Sequence, residues 1–418
     1  MKGRPIRDGF FMPHRYVLLL LSLMHDGIEA FERREGNGMQ ERKNVTNDRE
    51  MVRSGNFAQD LETLRAEGRL EKEIDRVKHA YEERIQGSNS FMDQKAWEAF
   101  TIIDLFHPET AEHCVETLHL AREKMESALH GSNQTAGESA VIFSKIFNMD
   151  RNALNVFYRA CLLHDIGKVN VSYEIITNTA SDQDVAKVLY LHINEYGRVL
   201  KDRHLAIIAN PDKLLEALKR KNTRPNGIVR AVDILSPESA TILRRRGIDV
   251  DNKTLPDIIR EHEEQSQKIL EALGMAGESW IAGHHHDYKN ELKEIPVEIH
   301  GVRVLLAEIL HLADVIQAMT GKRGYKKPHT KLGALDILVD QAMHKMVDPN
   351  LTALWVRDEM DRVEPLSAED AALLETESYK NLPPELQHRK KILGFLEKNN
   401  KVRIGDRIIT IDIPKMVA

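Results

Sequence analysis

Hydrophobic positions recur three or four residues apart over most of this chain, and strict alternation is confined to its C-terminal end. From Asp60 to Ile85 the residues Leu61, Leu64, Leu70, Ile74, Val77, Tyr81 and Ile85 stand among charged neighbours at mostly helical spacing. That pattern predicts one amphipathic helix, ended by Gly87-Ser88-Asn89-Ser90. Its apolar stripe either packs on its own domain or forms a coiled-coil or dimer contact, which would make a homodimer through the 60–85 helix. Helical patterns continue from Phe91 to Lys327 and again after Pro328, with a break at Pro383-Pro384. The stretch Val402–Ile413 alternates around Gly405-Asp406 and predicts a small β-hairpin. The expected fold class is all-α in three regions: an N-terminal helical extension (1–94), a helical domain (95–327), and a C-terminal helical region ending in the hairpin (328–418).

Composition narrows the partners. Of 418 residues, 42% are hydrophobic and 30% charged, which describes a globular chain able to bury a sizeable core. A net charge of -6 offers no overall basic field for nucleic acid. Lys213–Arg246 is locally basic, with Lys219-Arg220-Lys221 and Arg244-Arg245-Arg246; a solvated surface explains it as well as phosphate attraction does. Two cysteines, Cys114 and Cys161, exclude a disulfide scaffold and fit a reducing cytoplasm. The longest apolar run, Tyr16–Met24, is broken by Ser22 and is less than half of the roughly 20 residues a membrane span needs. Lys2, Arg4, Arg7 and Arg15 precede it, but no small-x-small cleavage site follows, so no signal peptide is expected.

The 19 histidines are unevenly spread, and several fall beside carboxylates. Apolar residues from Phe157 lead into Leu162-Leu163-His164-Asp165-Ile166-Gly167-Lys168, where Gly167 supplies a helix stop. Adjacent residues inside a helix point about 100° apart, so a His-Asp pair converges most easily at a helix end. Glu109 and His113 stand four apart, on one helix face. Gly283 precedes His284-His285-His286-Asp287, and Asp314 lies in Ile309–Ile316, an otherwise buried-looking helix. A carboxylate buried there needs a metal or a hydrogen-bonded partner. Imidazole with carboxylate suits Mn, Fe or Zn, and an aspartate can bridge two ions.

Together these segments resemble the HD-GYP phosphodiesterases, a branch of the HD metallophosphohydrolase superfamily. His107-Pro108-Glu109-Thr110-Ala111-Glu112-His113 resembles the family's Asp-x-x-Thr-x-x-His segment, and His164-Asp165-Ile166-Gly167-Lys168 reproduces its HD signature. His285-His286-Asp287 is similar to its His-His-Glu element, and Asp314 follows His286 by the family's 28 positions. Thr320-Gly321-Lys322-Arg323-Gly324-Tyr325-Lys326 resembles the family's Thr-x-x-Arg-x-Tyr-Arg ending. The resemblance implies an HD-domain helical bundle over 95–327 with an insertion at about 177–255. It implies metal ligands Glu109, His113, His164, Asp165, His285, His286 and Asp314, with one more histidine between the HD pair and the double histidine. Two windows fit that last ligand, His262 before Ile269-Leu270 and His192 before Val199-Leu200. His262 is preferred, because an insertion in the loop after Lys168 disturbs no helix pair.

The same resemblance implies two or three divalent ions, Fe or Mn, and a phosphodiesterase that hydrolyses cyclic di-GMP or a related phosphate ester in signalling. A metal-activated water would attack phosphorus, with Asp165 as bridge. Lys168, Arg323 and Lys326 are the candidate phosphate contacts, Lys168 and Asp165 the candidate catalytic residues. The chain departs from the family at three places. The GYP element is replaced by Tyr288–Pro296, the first-segment aspartate by His107, and the aspartate three after Asp314 by Gln317. The alternative is therefore a non-catalytic nucleotide-binding or regulatory module on a degenerate form of the fold.

Overall fold

A computed structural model describes residues 57–86, 90–126, 151–170, 230–235, 237–245, 247–287, 297–321, 328–404 and 407–410. All of them lie in one of two units into which the chain divides, Val52–Gly321 with Pro328–Ala418; the other unit, Met1–Met51 with Lys322–Lys327, lies outside the described residues. The described residues are helical apart from one two-stranded hairpin, so the all-α expectation holds.

The N-terminal stripe differs from the single helix that its periodicity predicts. It forms two helices, α1 (Phe57–Ala66) and α2 (Leu70–Gln86). Gly68 adopts φ +60 between them. Its amide donates to the Arg65 carbonyl and the Arg69 amide to that of Leu64, which closes α1 in a Schellman turn that a side chain would strain. The step of six from Leu64 to Leu70 spans this turn. The apolar face of both helices is covered within the chain: Leu61, Leu64, Leu70, Ile74, Val77 and Ile85 all join the main core.

Next come α3 (Gln94–Phe106), whose N-terminus is capped by the Asp93 carboxylate accepting from Ala96 N at 2.9 Å, and α4 (Pro108–Glu126), which Pro108 opens. After α5 (Arg151–Leu163) the chain tightens into a 3-10 turn, Ile166–Asn170. The expected insertion is described only from residue 230 onward, as the short α6 (Ala231–Ile234) and α7 (Pro237–Arg245). Their buried Leu235 and Leu243 do not join the main core. Helix α8 (Leu255–Arg260) starts at a capping box between Thr254 and Asp257. It leads directly into α9 (His262–Ala272), α10 (Ala276–Gly283) and the long α11 (Val297–Thr320). Helix α9 packs on α10 and on the 3-10 turn, α10 on α5, and α4 on both α5 and α11. These contacts bring five chain segments to one point.

The C-terminal region adds α12 (Lys331–Met343), α13 (Pro349–Met360), α14 (Ala368–Thr376) and α15 (Pro384–Lys398). Thr330, Asp348 and Ser367 cap the first three. The hairpin of β1 (Lys401–Ile404) and β2 (Arg407–Thr410) pairs Lys401 with Thr410 and Ile404 with Arg407. That register leaves the two-residue connection expected at Gly405-Asp406. Lys124 of α4 ties this region to the rest. Its buried ammonium meets Asp358 and, at 2.5 Å, Glu359 of α13, over the face of the buried Trp355. No helix among the described residues is long and apolar enough to cross a membrane.

Candidate metal centre

Each of the residues that converge comes from a position where its helix allows it. His113 lies on α4, one turn from its start; His164 and Asp165 follow the last residue of α5. His262 opens α9, His285 and His286 follow the end of α10, and Asp314 projects from α11. Only at helix ends can neighbours such as His164 and Asp165, or His285 and His286, turn toward a common point.

Asp165 lies at the middle. Its Oδ2 is 3.4 Å from Nε2 of both His113 and His164, and its Oδ1 is 3.1 Å from Nε2 of His262. Asp314 Oδ1 is 2.8 Å from His113 Nε2 and 3.8 Å from His164 Nε2, while its Oδ2 is 3.7 Å from His286 Nε2. The ligand atoms of His113, His164 and Asp314 fall within 4.8 Å of one another, as do those of His262, His285 and His286. The two oxygens of Asp165 face these two groups from between them.

The rings are held so that Nε2 points inward. The Nδ1–H of His164 donates to the Cys161 carbonyl at 2.8 Å, that of His262 to Ile259 at 2.6 Å, and that of His285 to Ala282 at 2.6 Å. For His113 the acceptor is the Gln317 side-chain oxygen. Nε2 of His113, His164, His262 and His285, together with Asp165 Oδ1, are buried without an aligned hydrogen bond. Orphaned buried polar atoms are costly, and five at one point are a charge-lined cradle waiting for a positive partner. Nitrogen and carboxylate donors with oriented outer partners fit divalent transition metals.

The protonation states agree. Burial lowers His113 and holds His285 well below the ordinary range, the latter reinforced by the His286, His164 and His262 rings. Burial pushes His286 down to about 3 against the pull of Asp314. These rings offer neutral lone pairs. Burial disfavours ionisation of both aspartates, yet Lys168, His164 and His262 hold Asp165 well below the usual carboxylate range. His113, His164 and His286 do the same for Asp314. His164 stays raised despite burial, because the Asp165 carboxylate faces it, so a cation that takes its Nε2 displaces a proton.

Glu263, one residue after His262, is pushed up to about 8 by burial beside the Asp287 and Asp165 carboxylates. Between its ordinary 4.5 and about 8 the native state binds a proton that the unfolded chain has released. This group's stabilisation is complete below that window and is lost as pH rises through it. In metal-free protein, Glu263→Gln should therefore gain on wild type in urea unfolding between about pH 5 and about pH 8.5. A difference that does not change with pH would contradict this.

Not every expected site residue joins the centre. Glu109 is exposed on the first turn of α4 and belongs to none of the converging groups found among the described residues. His284 turns away: its ring stacks on Trp280 at 4.4 Å and its Nδ1–H donates to the Trp280 carbonyl. Lys168, expected at a phosphate, is buried with its ammonium against Asp165. His192, Arg323 and Lys326 lie outside the described residues. Four supporting residues have no counterpart among the expected ones. Ser266 Oγ accepts the Gly167 amide at 2.8 Å, which joins α9 to the turn after Asp165. His311 Nδ1–H donates to the His285 carbonyl at 2.9 Å, and its Nε2 lies 3.2 Å from the Gln341 side-chain oxygen. Gln317 is the fourth. His311, Asp314 and Gln317 are spaced by three on one helix, a signal the sequence did carry.

A buried centre of histidines and carboxylates that could hold metal ions lies at the junction of five helical segments. A family model for the HD domain matches residues 110–238, a span that includes His113, His164 and Asp165. The chain thus carries an HD domain, which supports a place in the HD superfamily. The match covers less than a third of the chain and stops before His262, His285, His286 and Asp314, which the fold adds to the same centre. No curated protein and no solved structure matches the sequence.

Proposed function

We propose that this protein is a metal-dependent phosphodiesterase of the HD-GYP type, with cyclic di-GMP as the first candidate substrate. The observation that carries the reading is the set of buried histidine Nε2 atoms that crowd Asp165 and Asp314 without an aligned hydrogen bond. His113, His164 and Asp314 would hold one ion, His262, His285 and His286 a second, with Asp165 shared between them. Divalent ions at such a centre supply a water acidic enough to act as nucleophile near neutral pH and stabilise charge on the phosphoryl oxygens.

The chain's own groups support this chemistry. The backbone acceptors behind His164, His262 and His285 keep each ring in one tautomer. Buried apolar neighbours such as Cys161, Leu163 and Ile166 exclude water from behind the HD pair. Lys168 compensates Asp165 in the metal-free chain; once cations take that role, its ammonium becomes available to a phosphate oxygen.

The replacement of the GYP element by Tyr288–Pro296 favours a second reading, a nucleotide-binding module without turnover. The two separate in one experiment. Protein reconstituted with Mn²⁺ or Fe²⁺ is assayed against cyclic di-GMP, other cyclic dinucleotides and bis(p-nitrophenyl) phosphate. Hydrolysis that a chelator abolishes is the expected result. Nucleotide binding without hydrolysis of any of these esters would replace the first reading by the second.

A further inference from the structure

Three of the ligand histidines have their outer nitrogen satisfied by a carbonyl three residues earlier in their own chain segment: Cys161 for His164, Ile259 for His262, and Ala282 for His285. Each of these lies at a helix end, where nearby carbonyls are open to a side chain. His113 lies inside α4, where the carbonyls are already committed to the helix ladder. Its Nδ1–H is accepted instead by the side chain of Gln317, which lies 204 positions further along the sequence and one turn beyond Asp314 on α11. Helix α11 thus provides both a carboxylate beside the His113 Nε2 and the acceptor behind its Nδ1.

We infer that Gln317 is a positioning residue for the first metal subsite: it fixes the tautomer and ring orientation of His113, and its neutral amide sets how tightly His113, His164 and Asp314 hold their ion. This rests on the metal-centre reading above and deepens it. A carboxylate in the same place would accept the same proton while pushing more electron density onto the ring, so it would give a more basic ligand. The amide accepts without adding charge. The subsite then has only Asp314 and a share of Asp165 as anionic donors, and its affinity is correspondingly moderate.

The test titrates metal-free protein with Mn²⁺ alone, following free Mn²⁺ by electron paramagnetic resonance, in wild type, Gln317→Leu and Gln317→Glu. Gln317→Leu should weaken Mn²⁺ binding about 10–100-fold, the range for loss of an outer partner of a ligand histidine. Gln317→Glu should bind as tightly as wild type or tighter. In ¹⁵N-histidine spectra of the metal-free proteins, the His113 Nδ1–H signal should persist in wild type and Gln317→Glu and vanish in Gln317→Leu. Unchanged affinity in a folded Gln317→Leu overturns the inference. If that variant does not fold, a Gln317→Glu that binds more weakly than wild type overturns it as well. Wild type that takes up no Mn²⁺ fails the metal-centre reading itself, a result distinct from either.

Discussion

Asp165→Asn should abolish metal-dependent hydrolysis while leaving the helical fold nearly intact. The amide matches the carboxylate in size, so the buried end of α5 repacks little. What changes is charge. Asp165 faces both histidine groups at close range, Oδ2 toward His113 and His164 and Oδ1 toward His262 at 3.1 Å, whereas Asp314 reaches the second group only through His286 at 3.7 Å. An amide is a poor bridge between two cations, and its NH₂ group would present hydrogens to rings that must offer lone pairs. At least one ion should be lost, and with it the acidity of the reacting water. Circular dichroism should report near-normal helix content, while melting should fall, in part by what bound metal contributes to wild type. The same substitution also removes the anion that holds Lys168 in the interior, so part of the stability loss should be present without metal. Full metal content with full activity in Asp165→Asn would remove this motif from the catalytic centre.

Gly167→Ala should be nearly as damaging, for a steric reason. A methyl group at residue 167 would overlap the His262 carbonyl oxygen and stand 2.6 Å from the Ser266 amide nitrogen. Both are backbone atoms of α9, so no rotamer change can relieve the contact. The helix must move away from the turn after Asp165, and His262 moves with it. A loss of about 3 kcal/mol or more is expected, at the upper end for overpacking a tight interface, together with weaker metal binding. Ser266→Ala separates the two effects: it deletes the hydrogen bond to the Gly167 amide and should cost only about 1–2 kcal/mol. If Gly167→Ala melts like wild type and retains its ions, the close approach of α9 to the HD turn is wrong.

The parts of this centre that could be read in the sequence are those fixed by local spacing. His164-Asp165 before a glycine, the double histidine after Gly283, and Asp314 in an apolar helix all announce themselves because helix ends and helix faces are local properties. His262 was one of two windows, and its place at the start of α9, 3.1 Å from Asp165, depends on how α9 packs against the turn. Nothing local to His262 or His192 encodes that contact. Glu109 shows the converse. Its spacing of four from His113 puts it near the same face of α4, but at the first turn it reaches solvent rather than the centre. Gln317 counted as a lost aspartate in the sequence, and only the crossing of α4 and α11 reveals what it holds. The break at Gly68 left one trace in the sequence, the step of six from Leu64 to Leu70 in a stripe that otherwise advances by three or four.

The central claim is that the buried histidines and aspartates exist to hold transition-metal ions. Metal analysis of wild-type protein purified without oxygen, beside His285→Ala and Asp165→Asn, tests it most directly. His285 has the least exposed ring of the second group and makes its inner nitrogen available to nothing else in the described chain. The expected result is about two ions per wild-type chain, as in two-metal phosphohydrolase centres, with a clear loss in each variant at unchanged helix content. Wild-type protein without stoichiometric metal, which takes up neither Mn²⁺ nor Fe²⁺ on reconstitution, would contradict it.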